Sequence, residues 1–175
     1  MQIREANIAD ASKIARVRIE SWRTTYRGIL PEAYLDNLSM SGLTRTWNQI
    51  LRAEGRQGFT YVAENSQGEV VGFAIGGPER SANSFYQGEL YAIYLLQEQQ
   101  HKGLGSRLVS AVAGRLVQTG IFSMLVWVLA DNPSRGFYEK LGGKFVYEKA
   151  VRIGGIALRE VAYGWEDIQP LLEAK

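Results

Sequence analysis

The chain has 175 residues, 46% hydrophobic and 22% charged, and contains no cysteine. This composition suits one compact domain with its own core and excludes a disordered chain; the missing thiols exclude disulfides, thiolate metal sites, iron–sulfur ligation and cysteine nucleophiles. The 20 basic and 18 acidic residues are interspersed and sum to a formal charge of +2, without the dense basic footprint of a nucleic-acid binder, and a single histidine, His101, argues against a zinc site.

The start, Met1-Gln2-Ile3-Arg4-Glu5, lacks the order of a secretory signal. The charge-free run Leu116–Ala130, broken by Gln118, Thr119 and Gly120, falls short of the ~20 apolar residues of a membrane span. A soluble, cytoplasmic protein with no membrane partner is expected. In chain order, residues 2–5 read as a strand, and Asp10 and Ser12 offer N-caps for a helix over about 10–27, ended by Gly28. Pro31 suits the first turn of a short helix to Leu38, and Ser41 begins a third helix with Leu43, Trp47, Ile50 and Leu51 at helical spacing. Phe59–Ala63 and Val70–Ile75 form a hairpin about Asn65-Ser66-Gln67-Gly68, stopped by glycine and proline at 76–78. Glu89–Leu96 is nearly all apolar, as in a strand buried on both faces. Leu104, Leu108, Val112 and Leu116 make an i, i+4 row on an amphipathic helix. Ile121–Leu129 is a buried strand, Pro133 opens a short helix closed by Gly142-Gly143, and strands over 144–153 and 156–165 turn at Gly154-Gly155. The order predicts a single mixed α/β domain over 1–175.

The most informative stretch is Leu90-Tyr91-Ala92-Ile93-Tyr94-Leu95-Leu96, followed by Gln97-Glu98-Gln99-Gln100-His101-Lys102-Gly103-Leu104-Gly105-Ser106. A buried strand runs through a polar turn into a helix whose first amides lack internal partners and carry the positive dipole end. Glycines there remove bulk and permit unusual dihedrals, so a phosphate can approach the backbone, and Lys102 and Arg107 add positive charge. A dinucleotide fingerprint fails because Leu108 stands where its third glycine is needed. A Walker-type loop fails because no glycine-lysine is followed by serine or threonine.

What remains, Gln100-x-x-Gly103-x-Gly105, resembles the pyrophosphate-binding motif of the GCN5-related N-acetyltransferase superfamily. A second segment, Asp131-Asn132-Pro133-Ser134-Arg135-Gly136-Phe137-Tyr138-Glu139-Lys140-Leu141-Gly142, resembles that family's asparagine-to-tyrosine stretch. Ser21-Trp22-Arg23-Thr24-Thr25-Tyr26 and the final strands are similar to a bacterial branch with a Trp-Arg-x-x-Tyr segment. Gln97, where proline is frequent, and His101, where glycine or arginine is common, depart from the pattern without removing a backbone amide.

The resemblance implies the acyl-CoA N-acyltransferase fold, α/β (α+β) with a mixed, mostly antiparallel sheet of six to seven strands flanked by helices. It also implies acetyl-CoA as cosubstrate, with no metal. Its pantetheine arm would pair with the strand at Ile93, Tyr94 and Leu95. Its pyrophosphate would rest on Gln100, His101, Lys102, Gly103, Leu104, Gly105 and Ser106, while Asn132 would contact the cofactor and Tyr138 would lie near its sulfur. An amine of pKa ~10.4 is almost wholly protonated at pH 7, so losing that proton costs about 4.6 kcal/mol and a base is needed. Glu89 is the candidate base, and a strand amide near Leu95 the oxyanion donor. Tyr138 is the candidate acid for a departing thiolate. Trp22, Tyr26 and Tyr91 are candidates for the acceptor site, with Tyr34 beside them. The blander readings are a plain turn at Gly103 and Gly105, a strand-end acid at Glu89, a helix cap at Asn132, and core aromatics at Tyr138, Trp22 and Tyr26. A small-molecule or peptide amine is the expected partner, and an exposed edge over 156–165 would suit a homodimer. The competing class is a coenzyme A-binding sensor without turnover.

Overall fold

The structure, a computed structural model, describes residues 1–53 and 58–173. Its strands are β1 (Gln2–Glu5), β2 (Phe59–Glu64), β3 (Val70–Pro78), β4 (Gly88–Leu95), β5 (Met124–Leu129), β6 (Lys144–Ile153) and β7 (Ile156–Trp165). They form one sheet in the order β1-β2-β3-β4-β5-β7-β6, in which only β4 and β5 run parallel. The helices are α1 (Ala11–Thr25), α2 (Glu32–Asp36), α3 (Met40–Arg52), α4 (Leu104–Gln118) and α5 (Arg135–Lys140). This is the mixed, mostly antiparallel sheet with flanking helices that the sequence predicts.

Strand alternation places helices on both faces of the sheet. Phe73 meets Trp47 of α3 edge-on at 5.1 Å, whereas a side chain at Gly76, on the opposite face, would run into Val112 of α4. The row Leu104, Leu108, Val112 and Leu116 is fully or almost fully buried, contributing about 1.5–3 kcal/mol per side chain. A smaller cluster of Trp22, Tyr26, Leu30, Leu35 and Leu129 joins α1 and α2 to the β6–β7 turn through Tyr34, Val151 and Ile153. Among the described residues no helix is long and apolar enough to cross a membrane.

Several boundaries differ from expectation for local reasons. Asp10 does not cap α1 with its side chain. It closes a capping box with Asn7 around a single 3-10 turn over Ile8–Asp10 and is gripped by Arg4 at 2.7 and 2.9 Å. Ser39, not Ser41, caps α3, accepting from the Gly42 amide at 3.0 Å. Gly76, Gly77 and Pro78 extend β3 instead of stopping it, since proline sits at the strand's last position, where losing a donor matters least. The 156–165 strand is not an edge: β7 lies between β5 and β6, so β6 is the outer strand at that side. Only Gly88, Glu89 and Leu90 of β4 are buried like a central strand; Tyr91 to Leu95 are half-buried.

That last difference has a cause. Opposite β4, Ile75 pairs with Ala92 and Gly76 with Leu90, leaving Tyr91 as an extra residue. Such a bulge bends and twists its strand. Pairing between β4 and β5 covers Gly88, Glu89 and Leu90 and ends there, although both strands continue. Beyond that point they separate, and the gap between them opens the cleft described next.

Candidate active site

One cavity of about 1010 Å³ runs along the gap between β4 and β5. Its walls bring together most of the candidate residues: Trp22, Tyr26, Glu89, Tyr91, Ile93, Tyr94, Leu95, Gln100, His101, Gly103, Gly105, Ser106, Asn132 and Tyr138. Two candidates do not contribute side chains. Leu104 is buried in the core, and Lys102 is exposed with its ammonium on the Gln99 side chain at 3.3 Å. Arg107, expected to add positive charge, bonds instead to the Met1 carbonyl.

The strand edge facing the gap follows from one hydrogen bond. Leu96 donates to the Val71 carbonyl of β3 at 3.0 Å. Alternation therefore turns the backbone groups of Leu95 and Ile93 away from β3, toward the gap. The Leu95 carbonyl is already taken, by the Ser21 hydroxyl at 3.1 Å and the Gln100 amide at 3.3 Å. Both contacts tie the end of β4 to its surroundings: Ser21 belongs to α1, and Gln100 folds the following turn back.

At the end of that turn Gly103 adopts φ +76° as the N-cap of α4, and His101 also lies in the left-handed region at φ +59°. The first backbone bond of the helix runs from Arg107 to the Gly103 carbonyl at 3.2 Å. Among the described residues, the amides of His101 to Ser106 make no backbone hydrogen bond outside regular helix pairing. Those amides, with the helix dipole behind them, fit an anionic oxygen group. The two glycines serve different ends. Gly103 is needed for its dihedral, whereas a Cβ on Gly105 would stand 3.0 Å from the Phe137 ring and 3.6 Å from Leu95. Gly105 thus lets α5 pack against α4.

Across the gap, Tyr26, Tyr94 and Tyr138 converge. The Asn132 side chain donates to the Tyr26 hydroxyl at 3.2 Å and its carbonyl caps the Ser134 amide at 2.8 Å, so it is at once a cap and a cleft residue. Burial, then the nearby Tyr94, push the Tyr138 hydroxyl well above the ordinary tyrosine range; Tyr26 is raised in the same way. Both therefore remain protonated donors. The Tyr138 ring stacks on Tyr163 at 6.0 Å and meets Phe137 edge-on at 5.3 Å. Trp22 packs against Tyr26 at 5.0 Å and Tyr94 at 6.4 Å, with Arg18 over its face at 4.8 Å.

The other end of the cleft is charged. Glu89 is buried and receives three bonds from Arg80: Nε to Oε2 at 3.1 Å, the main-chain amide to Oε2 at 3.2 Å, and Nη2 to Oε1 at 2.5 Å. The Arg80 guanidinium lies 4.0 Å over the Tyr91 ring, and the Tyr91 hydroxyl donates to the Pro78 carbonyl. Opposite, Lys149 pairs with Glu160 at 3.6 Å and sits 3.8 Å above Trp127. Sequence reasoning missed Arg80, Trp127, Lys149 and Glu160. Arg135 is held in place, donating to the Ala130 carbonyl at 2.9 Å and the Tyr163 hydroxyl at 3.0 Å. Among the described residues no group of three or more histidine, cysteine, aspartate or glutamate side chains is placed to hold a metal ion.

Residues 71–153, from β3 through β6, match the family described as FR47-like protein. A Bacillus subtilis chain named "Uncharacterized N-acetyltransferase YuaI" is 42% identical over 169 residues, covering 97% of this chain and 95% of its own length. A spermidine N(1)-acetyltransferase of Thermoplasma acidophilum is 26% identical over 147 residues, 82% of this chain and 88% of that protein. Among solved structures, the fold is similar to that of the PaiA N-acetyltransferase of the same organism in complex with coenzyme A. The TM-score is 0.67 at 24% identity, covering 91% of this chain and 96% of that one.

Proposed function

The chain belongs to the GCN5-related N-acetyltransferase superfamily of acetyl-CoA-dependent enzymes, and from that premise we propose that it acetylates a primary amine by direct attack in a ternary complex. The carrying observation is the coincidence of three features in one cleft: a strand edge that β5 leaves unpaired from Ile93 to the Leu95 amide, unpartnered amides where α4 begins, and Glu89 and Tyr138 on its walls. A thioester carrier fits these: the amides of residues 101–106 suit its diphosphate, and the β4 edge suits an amide-bearing arm laid down as an added strand.

In this reading Glu89 accepts the proton that the amine loses as its nitrogen bonds the acyl carbon. The Leu95 amide meets the developing oxyanion as a preorganised donor. Tyr138 donates to the sulfur as the carbon–sulfur bond breaks. Burial weakens Tyr138 as an acid, but the same burial disfavours a thiolate, so the two proton affinities rise together. With no cysteine in the chain, a thioester acyl-enzyme has no nucleophile, which favours direct transfer. Trp22, Tyr26 and Tyr91 line the acceptor side. The acceptor is a small-molecule or peptide amine, in keeping with the Thermoplasma relative named for spermidine. The Trp22-Arg23-x-x-Tyr26 segment supports a place in a bacterial branch, the whole chain acting as one cytoplasmic N-acetyltransferase domain.

The test is calorimetry with coenzyme A, then thiol release from acetyl-CoA across primary amines including spermidine, amino acids and peptide N-termini. Amine-dependent release, lost in Glu89→Gln, supports the reading. Tight coenzyme A binding with no amine-dependent release would leave a sensor instead.

A further inference from the structure

We propose that Arg80 is a positioning residue for Glu89: it grips the carboxylate along one edge and leaves a single lone pair of Oε1 to take the amine proton. This rests on the reading of Glu89 as the base. A carboxylate offers about four lone-pair sites. Two on Oε2 are taken by the Arg80 Nε and main-chain N–H groups, and one on Oε1 by Nη2. All three donors come from one residue nine positions earlier in the chain, in the connection between β3 and β4.

The grip is held from behind. Tyr91, the extra residue of the β4 bulge, lies under the guanidinium at 4.0 Å and is itself fixed by its hydroxyl bond to Pro78. Glu79, the other acid beside Arg80, is turned away: its carboxylate accepts from the Ser81 amide and hydroxyl and the Asn83 amide. Those bonds occupy Glu79, whose charge acts on the guanidinium only through space. Opposite Glu89 in the sheet stand only Gly77 of β3 and Leu125 of β5, which offer no charge. The Glu89 side chain is 5% exposed and that of Arg80 60% exposed. A pair needed only to bury charge gains nothing from an exposed partner on a cleft wall. A base that must keep one orientation while substrates come and go does gain from a bidentate fork.

The experiment compares thiol release, with the panel amine that the wild type turns over fastest, in Arg80→Ala, Arg80→Lys and Glu89→Gln. Expected for Arg80→Ala is a kcat lowered about tenfold to a hundredfold, with the KM for acetyl-CoA and coenzyme A affinity kept within about twofold, because Arg80 lies away from the α4 amides. Arg80→Lys should recover part of the rate, since one ammonium cannot bridge both oxygens. Millimolar guanidinium chloride, but not matched sodium chloride, should restore Arg80→Ala and leave Glu89→Gln unchanged. If Glu89→Gln turns over like the wild type, the base reading itself fails. If Glu89→Gln is impaired while Arg80→Ala keeps full rate, or is slow yet deaf to guanidinium, the positioning role is overturned and the base reading stands.

Discussion

Replacing Tyr138 with phenylalanine separates packing from chemistry at the centre of the cleft. The ring is held on two sides, stacked on Tyr163 at 6.0 Å and edge-on to Phe137 at 5.3 Å, and both contacts survive loss of the hydroxyl. Stability should therefore change by less than about 1 kcal/mol, since the volume is nearly conserved. Positioned general acids contribute typically ~10²–10⁴-fold. A thiol of pKa ~8.5 is a good leaving group, so the lower end applies: about a hundredfold in kcat, or ~2.7 kcal/mol. The KM for acetyl-CoA should hardly move. Because burial raises the Tyr138 hydroxyl, it stays protonated as pH rises, and the wild type should show no alkaline loss of rate from this group below about pH 10. Steady-state thiol release from pH 6 to 10, with thermal melts of both proteins, measures all of this. A Tyr138→Phe enzyme with unchanged kcat refutes the assignment. A kcat loss matched by a large drop in melting temperature shows that the hydroxyl serves the fold instead.

The cradle glycines should respond differently. Gly103→Ala must hold φ +76°, costing about 1–2 kcal/mol, while Gly105→Val drives a branched side chain toward Phe137, 3.0 Å from the Cβ position, and costs about 1–3 kcal/mol. Calorimetry should show coenzyme A binding weakened in both, and unaltered affinity would sink the diphosphate assignment. Burial alone would raise the Asp10 carboxyl, but the Arg4 fork and the Asn7 amide more than offset this and hold it below the usual carboxylate range. Asp10→Ala should therefore cost about 3 kcal/mol at pH 7. The contribution is complete above the unfolded value of ~3.9 and lost as pH falls through the lower folded one, so the deficit in urea melts should shrink below pH ~3.9. A deficit that persists in acid counts against the ionic account. Gly164→Ala pushes a methyl into the buried Tyr86 ring and should destabilise by about 1–3 kcal/mol, but by much less in a Tyr86→Ala background.

Period and punctuation made the elements legible. The row Leu104-Leu108-Val112-Leu116 could only be an amphipathic helix, and Gly154-Gly155 could only be a two-residue turn between strands. The cradle was legible because it is local: strand, turn and helix follow within a few residues. The charged end of the cleft was not read because its partners are distant in sequence or lie in segments without periodicity. Arg80 sits in the irregular connection between β3 and β4, where no pattern announces which way it turns. Lys149 and Glu160 were within reach, since counting back from the Gly154-Gly155 turn places them opposite one another. Trp127 hid in a strand so apolar that every residue looked like core. The bulge at Tyr91 left no mark in composition, and it stands where pairing with β5 ends and β4 gains an open side.

Why the gap and the unpartnered amides meet at one end follows from the single parallel pair in the sheet. Joining parallel neighbours requires a crossover, and α4 supplies it between β4 and β5. A crossover helix returns antiparallel to its strand, so the N-terminus of α4 must lie beside the C-terminal end of β4. The bulge at Tyr91 comes three residues into β4, and pairing with β5 is lost beyond it, toward that same C-terminal end. Any elongated ligand seated in the gap is thus led with one end onto the helix amides and the other toward Glu89, near the strand's beginning. A diphosphate at one end and a reacting group at the other is what this connectivity accommodates. The reverse orientation would place negative charge against the buried Glu89 carboxylate and leave the helix dipole unanswered.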